Sequence, residues 1–299
     1  MTKILITGGT GAVGVQLTKL LKEQGHEVFC LSRDPQKSAI PAYKWDIKKK
    51  MIDPACLSGI DAIVHLAGAP VAGQRWTKAY KKEIYVSRVL STRLLFQLLE
   101  TQPHHVKTFV AASAVGIYGN KVLQKATENY ATANDFLARV CKRWEEESLT
   151  INRLNIRTVI IRTGIVLNAD SGFVSAIAKV AKLFIGAPLA NGKMLTPWIH
   201  KDDICGIYIK AITDLAMNGI YNGVAPDICT NKEITSYICD ALHRPMWPVS
   251  VPAFMMKLIF GEMGMVILAN QNISCKKITE AGYHFKYKHA KEAIDALLR

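Results

Sequence analysis

The sequence predicts an α/β protein, a Rossmann-type doubly wound parallel sheet with a small C-terminal substrate lobe. Over the first two-thirds of the chain, apolar strand-like segments alternate with helix-like segments, which is the pattern of parallel strands joined by crossover helices. The first strand runs directly into a glycine-rich turn and a helix, an arrangement that can cradle phosphate groups. With 299 residues, nearly half of them hydrophobic, the chain is long enough for one large domain with a smaller appendage.

The glycine-rich turn follows the apolar run from Ile4 to Ile6, which we expect to be a buried strand. Gly8, Gly9, Gly11 and Gly14 come next, and beyond them apolar residues recur at helical spacing. Glycines permit a tight turn close to a pyrophosphate, and the helix start offers free N–H groups; a purely structural turn is the alternative. The predicted dinucleotide contacts here are Gly8, Thr10, Gly11, Ala12, Val13 and Gly14.

The second strand, from His26 to Ser32, indicates which dinucleotide is bound. Sites selective for NAD usually place an acidic residue about twenty positions past the glycines, where it holds the ribose 2′-hydroxyl. Here Ser32 is followed by Arg33, a fixed cation suited to a 2′-phosphate. NADP(H) is therefore favoured over NAD(H), although Asp34 keeps NAD(H) open and a solvated arginine is the structural alternative. Asp46, which ends the next strand-like segment, is also assigned to the cofactor site.

Three further strand-like segments end in polar or small residues: Ala62 to Leu66, Thr108 to Ser113 and Arg157 to Arg162. Helical stretches are expected between them, near residues 77–101 and 133–150. Ligands of doubly wound sheets bind beyond the carboxyl ends of the strands. These ends add cofactor contacts at His65, Leu66, Ala67, Gly68 and Arg162.

The chain changes character near residue 168, where glycine and proline begin to punctuate shorter elements. We therefore predict an NADP(H)-binding Rossmann domain over residues 1–167, with later segments returning to it. Residues 168–299 are predicted to form a lobe that covers the substrate, together with a C-terminal extension.

Composition limits the compartment and the partners. The net charge is +14, but the lysines are dispersed and not interleaved with aromatic residues, so steering of an anionic ligand or a plain solvated surface is favoured over nucleic-acid binding. Seven scattered cysteines without C-x-x-C pairs indicate reduced thiols in a cytoplasmic protein and argue against a metal site. We expect no targeting segment ahead of the first strand. The longest apolar stretch, Val251 to Ala269, contains Lys257 and Glu262, so it predicts a buried or interface helix and no membrane span.

The sequence resembles the extended short-chain dehydrogenase/reductase superfamily and, more narrowly, its atypical YfcH-like group of NAD(P)-dependent epimerase/dehydratase proteins with a C-terminal extension. The resemblance covers essentially the whole chain, and its motifs occur in order. They are Thr7 to Gly14, His65 to Gly68, Arg75-Trp76, Ser87-Arg88, Ser91-Thr92, Ser113 to Gly119, Trp144-Glu145, Arg162 to Leu167, Trp198 to His200, Asp202-Asp203, Tyr221 to Pro226, Arg244-Pro245, Gly261 to Met263 and Gly282 to Phe285.

The resemblance implies a reaction in which a tyrosine, four residues before a lysine, exchanges a proton while a serine holds the substrate oxygen. Such a phenol needs a nearby cation to work at neutral pH. Ser113 stands at the serine position, but alignment on Trp144 places Cys141 at the lysine and Leu137 at the tyrosine. The dyad is missing. This leaves two hypotheses: an oxidoreductase or epimerase that uses other groups on a small substrate, nucleotide-linked or not, or an NADP(H)-binding sensor or interaction protein with weak catalysis.

Each remaining candidate side chain has a structural alternative. Ser113 is assigned to the substrate oxygen and Tyr118 to proton transfer, although the serine could cap a strand end and the tyrosine could be packed. Substrate contacts are predicted for Arg75, Trp76, Trp198 and His200, with loop anchoring or core packing as the alternatives. The resemblance also suggests a homodimer through the two long helices.

Overall fold

The computed structural model describes residues 1–72 and 74–299, which form fourteen strands and eleven α-helices. The strands are β1 (Lys3–Thr7), β2 (Glu27–Ser32), β3 (Ala42–Asp46), β4 (Met51–Ile52), β5 (Ala62–His65), β6 (Thr108–Ala114), β7 (Lys121–Ala126), β8 (Arg157–Thr163), β9 (Ile165–Leu167), β10 (Leu195–Thr196), β11 (Trp198–His200), β12 (Gly219–Gly223), β13 (Cys229–Thr230) and β14 (Asn270–Ile273). The helices are α1 (Ala12–Glu23), α2 (Lys78–Tyr85), α3 (Ser91–Thr101), α4 (Phe136–Leu149), α5 (Gly172–Lys182), α6 (Lys201–Thr213), α7 (Asn231–Ala241), α8 (Ala253–Phe260), α9 (Met263–Ile267), α10 (Lys276–Glu280) and α11 (Ala290–Leu298).

The central sheet has eight strands among the described residues, in the order β12-β8-β6-β5-β1-β2-β3-β4. Adjacent strands are parallel except for β4, which pairs antiparallel with β3. The predicted doubly wound parallel sheet is therefore confirmed. Strand order reverses between β1 and β5, and a crevice for ligands opens at such a switch point, beyond the carboxyl ends of the strands.

Both faces of the sheet are buried, because apolar side chains occupy successive positions of each inner strand. Ile4, Ile6 and Val64 lie on the face covered by α1 and α6. Leu5 and Ile63 lie on the opposite face, which packs on α3. The strands are therefore held from both sides, and the loops at their carboxyl ends start from fixed positions.

The two long predicted helices are confirmed near their expected bounds. Helices α2 and α3 are joined by a π-helical segment, Val86–Leu90, so that one long helical stretch covers the predicted region 77–101. Helix α4 begins after Asp135, whose carboxylate accepts a hydrogen bond from the Ala138 N–H. This N-cap explains why the helix starts a little later than residue 133.

The chain after residue 168 contributes to two places. Helix α6 and strand β12 return to the central sheet, where β12 pairs with β8 at its edge. Helices α5, α7 and α11 form a separate apolar cluster that includes Val174, Ile234 and Ile294. The second cluster lies outside the sheet, in the region where a small lobe was expected.

The apolar stretch from Val251 to Ala269 forms the short helices α8 and α9. Phe254 and Leu258 on α8 are 67% and 72% exposed, so the expectation of a buried helix is wrong for this face, and the interface alternative stays a prediction. None of the helices in the described part of the chain is both long enough and apolar enough to cross a bilayer.

Candidate functional site

The glycine-rich turn packs so closely that side chains would not fit. A Cβ at Gly14 would lie 2.3 Å from the Gly8 carbonyl oxygen, and one at Gly8, where φ is +74°, would lie 2.9 Å from the Ala67 nitrogen. Gly11 is the N-cap of α1 and has no side chain with which to satisfy the first N–H groups of that helix. The turn therefore presents free backbone donors at a helix start, which is a suitable place for an anion.

A groove of about 740 Å³ opens beside this turn and runs along the ends of β1, β2, β3 and β5. It brings together many of the predicted cofactor residues that are distant in sequence. Those lining it are Gly8, Thr10, Gly11, Ser32, Arg33, Asp46, Leu66, Ala67 and Gly68.

The end of the groove away from the glycine-rich turn is rich in cationic side chains. Arg33 lines it together with Lys37 and Lys48, while Asp34 and Asp46 lie there too. Asp34 forms an ion pair of 2.9 Å with Lys37, and the Asp46 carboxylate accepts hydrogen bonds from two backbone N–H groups of the following turn. Both carboxylates are therefore partly satisfied within the protein, whereas the exposed Arg33 guanidinium makes no hydrogen bond to any residue that the structure describes.

The predicted cofactor residue His65 lies beneath the groove and does not line it. Thr7 Oγ1 is 2.6 Å from its Nδ1, and Ser91 Oγ is 3.1 Å from its Nε2. Ser91 donates its only proton to a backbone carbonyl, so Nε2 carries the imidazole proton and Thr7 donates to Nδ1. Burial lowers the pKa of His65 to about 3. A neutral histidine thus ties the ends of β1 and β5 to α3 and does not contact a cofactor in the groove.

A second, inner cavity of about 350 Å³ adjoins the groove, and Leu66 lines both. Its walls include Val13, which was assigned to the cofactor, and Ser113, which was assigned to the substrate. Arg88, Cys141 and Trp144 also line it. The groove and the inner cavity therefore lie side by side at the carboxyl edge of the sheet.

Ser113 is held from below by a buried ion pair. Its Oγ donates a 2.6 Å hydrogen bond to Glu145 Oε1, and Arg162 donates to both oxygens of the same carboxylate, from Nε at 2.8 Å and from Nη2 at 2.7 Å. All three side chains are buried. Because the serine proton is used, the Oγ lone pairs are what Ser113 presents to the inner cavity.

Tyr118 and Arg162 do not reach either cavity, which corrects two assignments. The Tyr118 hydroxyl donates to Asn222 Oδ1 at 2.7 Å and accepts from Arg162 Nη1 at 2.8 Å, and burial raises the pKa of the phenol. Tyr118 is therefore a packed, satisfied tyrosine and no proton donor for a substrate. The Arg162 guanidinium is engaged by Glu145, Tyr118 and the Glu128 carbonyl, so it positions Glu145 and does not contact a cofactor.

Two other predicted residues anchor the segment that precedes α2. Arg75 Nη2 donates to the Leu258 carbonyl at 2.7 Å, and Trp76 Nε1 donates to the Val71 carbonyl at 2.8 Å. The Trp76 ring also packs on Phe136. Neither is among the described residues that line the groove or the inner cavity, so the geometry matches the loop-anchoring alternative.

Trp198 and His200 lie in the core on β11, away from both cavities. Trp198 is fully buried, and His200 Nδ1 accepts a hydrogen bond from the Asp202 N–H, which caps α6. The His200 ring packs on Tyr287 with centroids 4.1 Å apart. The structure therefore contradicts their assignment to the substrate. The neighbouring Thr196 and Pro197 line the inner cavity instead.

The chain is similar to known proteins along almost its whole length. Residues 4–222 match the family model of the NAD dependent epimerase/dehydratase family, and residues 251–297 match a domain of unknown function. The chain is 33% identical to the chloroplastic epimerase family protein SDR39U1 homolog of Arabidopsis thaliana over 99% of this chain and 86% of that one. It superposes on the human epimerase family protein SDR39U1, solved with NADPH, with a TM-score of 0.88, 28% identity and 99% coverage of both chains. MoeE5, solved with UDP-glucose and NAD, shares the fold at a TM-score of 0.80 and 17% identity, with 99% and 97% coverage.

Proposed function

Because the chain belongs to the NAD dependent epimerase/dehydratase family, we propose that it binds NADP(H) along the groove and transfers hydride to or from a small substrate in the inner cavity. The observation that carries this proposal is that the two cavities adjoin at Leu66. One runs from the glycine turn to Arg33, the other surrounds Ser113, and Leu66 is their common wall. A cofactor lying in the first would bring its reactive end to the second.

The residues of the groove fit NADP(H). The free N–H groups after Gly11 suit the pyrophosphate, and Arg33, aided by Lys37 and Lys48, suits a 2′-phosphate. The structure of the human relative with NADPH supports this choice. When bound, the nicotinamide would supply or accept the hydride. Ser113, whose Oγ presents lone pairs, would accept the hydrogen bond of a substrate hydroxyl and pass a proton to Glu145.

The cofactor assignment is tested by titrating wild type, Arg33→Ala and Lys49→Ala with NADPH and with NADH, following nucleotide fluorescence. Lys49 is the matched control, because it is a nearby exposed cation outside the lining of the groove. We expect NADPH affinity to fall about tenfold in Arg33→Ala only, since one charge-assisted contact is lost, and NADH affinity to stay the same. Equal wild-type affinities would overturn the NADP(H) preference, and binding of neither nucleotide would overturn the proposal.

A sensor or interaction protein is the second candidate function. Two observations favour it. The Tyr118 hydroxyl is buried and bonded within the protein, and the described lining of the inner cavity includes no lysine. In that case NADPH would slow tryptic cleavage at Lys257 on α8, next to the cavity wall formed by α9, while no substrate in a screen of alcohols and carbonyls is turned over. Substrate-dependent NADPH oxidation would exclude this candidate.

A further inference from the structure

The inner cavity contains a single charged side chain among the residues known to line it. That side chain is Arg88, and no carboxylate faces it in this lining. The remaining wall is apolar or neutral, with Leu66, Phe173 and Ile267 among the apolar members. A volume of about 350 Å³ is at the small end for ligand sites and must hold the nicotinamide as well. A nucleotide-linked sugar would therefore find a single cation in this lining, fewer than its diphosphate needs.

Only one nitrogen of the Arg88 guanidinium, Nη1, donates a hydrogen bond to a described residue. Its Nη1 donates to the carbonyl oxygens of Ala69 and Ile84 at 3.0 and 3.2 Å, and no ion pair to it is found within residues 1–72 and 74–299. Gly68 lets the guanidinium approach the backbone, because a Cβ there would lie 2.9 Å from Arg88 Cζ. Burial lowers the pKa of Arg88, which is the sign of a cation that has lost water without gaining a counter-ion. An acidic group on a ligand would supply the missing counter-ion.

Trp144 packs against the Arg88 guanidinium and carries a buried N–H group of its own. Arg88 Cζ lies 5.3 Å from the centroid of the Trp144 ring, and both residues line the cavity. Trp144 is 4% exposed, and its Nε1 has no hydrogen-bond partner among the described residues. The two side chains come from α4 and from the π-helical segment, so the arrangement is tertiary and does not depend on a helix terminus.

On the basis of the function proposed above, we propose that the substrate is a small, largely apolar hydroxy acid, or the corresponding oxo acid, whose carboxylate binds Arg88. The fork of a guanidinium matches a carboxylate with two hydrogen bonds. The reacting hydroxyl donates to Ser113 Oγ, one of the neutral polar groups in the lining of the same cavity.

In the oxidation direction, the carbinol C–H bond breaks and its electron pair leaves with the hydrogen as hydride to NADP⁺. The hydroxyl proton passes to Ser113 Oγ as that oxygen gives its own proton to Glu145, and a C=O bond forms. The hydroxy acid is thereby oxidised to the oxo acid, NADP⁺ is reduced to NADPH, and the hydroxyl proton is balanced by protonation of Glu145. Reduction of the oxo acid is the reverse.

The test uses hexanoate, hexanamide and UDP-glucose as probes, titrated calorimetrically into the full chain saturated with NADP⁺. NADP⁺ affinity is measured first, so that failure of cofactor binding is separated from failure of this inference. We expect wild type to bind hexanoate at least about tenfold more tightly than hexanamide, because only the carboxylate pairs with the cation. This preference should vanish in Arg88→Gln and shrink in Arg88→Lys, which keeps the charge but not the fork.

Arg153→Gln, which removes an exposed arginine far from the cavity, should keep the full preference. In each variant, NADP⁺ affinity equal to that of wild type shows that the protein is folded. An Arg88→Lys variant that retains the preference in part supports the inference even if Arg88→Gln does not fold. Equal wild-type affinities for hexanoate and hexanamide, UDP-glucose binding tighter than hexanoate, or a loss of NADP⁺ affinity in Arg88→Lys would overturn it. The last result would assign Arg88 to the cofactor.

Discussion

The buried carboxylate of Glu145 serves two partners at once. It accepts the Ser113 hydroxyl proton and holds the Arg162 guanidinium through both oxygens. Arg162 in turn donates to Tyr118, so a chain of buried polar groups supports Ser113 at the wall of the inner cavity. Such a network orients Ser113 firmly as long as each member has its partners.

Replacing Glu145 with Gln should strongly destabilise the protein. The buried Arg162 would lose its counter-ion, and breaking a buried pair from one side costs about 3 kcal/mol or more in the free energy of unfolding. Urea denaturation measures this cost. Glu146→Gln is the matched control, because the neighbouring Glu146 pairs with Arg143 at the surface. An equal loss of unfolding free energy in the two variants would contradict the role assigned to the buried ion pair.

Sequence reasoning identified Ser113 but not the group that holds it. Ser113 was found from its place at a strand end, which is a local signal. Glu145 lies 32 residues away, and Trp144-Glu145 was noted only as a motif of the resemblance. Arg88 was noted in the same way, and Lys48 was not singled out. Their roles arise from tertiary contacts between elements, and no spacing within one element reports those contacts.

At the scale of elements, the site depends on how closely α1 approaches β1 and β5. Gly14 is the point of closest approach, since its missing side chain leaves room for the Gly8 carbonyl. Gly8 itself lies against the Ala67 backbone at the end of β5. The glycines therefore allow strand, helix and neighbouring strand to meet at one point, and the donors of α1 open into the groove.

A Gly14→Ala substitution should abolish tight NADPH binding. The added Cβ would lie 2.3 Å from Gly8 O and 2.8 Å from Gly9 Cα, both backbone atoms, so the turn must shift. We expect at least about a hundredfold loss of affinity, in line with several displaced backbone contacts. Fluorescence titration with NADPH measures the loss. Gly25→Asn at the other end of α1 is the control, because space is open there and Asn tolerates a φ of +79°. Unchanged affinity in Gly14→Ala would show that the turn does not hold the pyrophosphate.

Elements close in sequence were predicted better than those joined by long connections. The strand, turn and first helix were predicted because apolar periodicity and glycine spacing act within some twenty residues. The exposure of one face of α8 was not predicted, because the sequence of an apolar run is the same whether or not the fold covers it. Trp198 and His200 belong to a motif of the resemblance and were assigned to the substrate, but β11 places both in the core.

At the scale of the whole molecule, two buried histidines connect distant parts of the chain. His65 joins β1, β5 and α3, and burial lowers its pKa to about 3. His200 caps α6 and packs on Tyr287 near the C-terminus, and burial lowers its pKa to about 4. Both stay neutral in the folded protein at pH values where an unfolded histidine, with a pKa near 6.5, takes up a proton.

The folded protein should therefore lose stability as the pH falls below about 6.5. Between this value and the lowered pKa values the unfolded chain binds more protons than the folded one, so acid favours unfolding. At pH 5 each histidine should reduce the free energy of unfolding by about 2 kcal/mol relative to pH 7.5. Urea denaturation at the two pH values measures the difference.

The His65→Asn variant isolates the contribution of His65, because its side chain cannot take up a proton in the unfolded state. Its free energy of unfolding should change by about 2 kcal/mol less between the two pH values than that of wild type, whatever its stability at pH 7.5. His105→Asn, at an exposed position, should keep the wild-type difference. The same difference in His65→Asn and wild type would mean that His65 is protonated inside the folded protein. The hydrogen bond from Thr7 to Nδ1 would then be reversed, and with it the link between the cofactor turn and the end of β5.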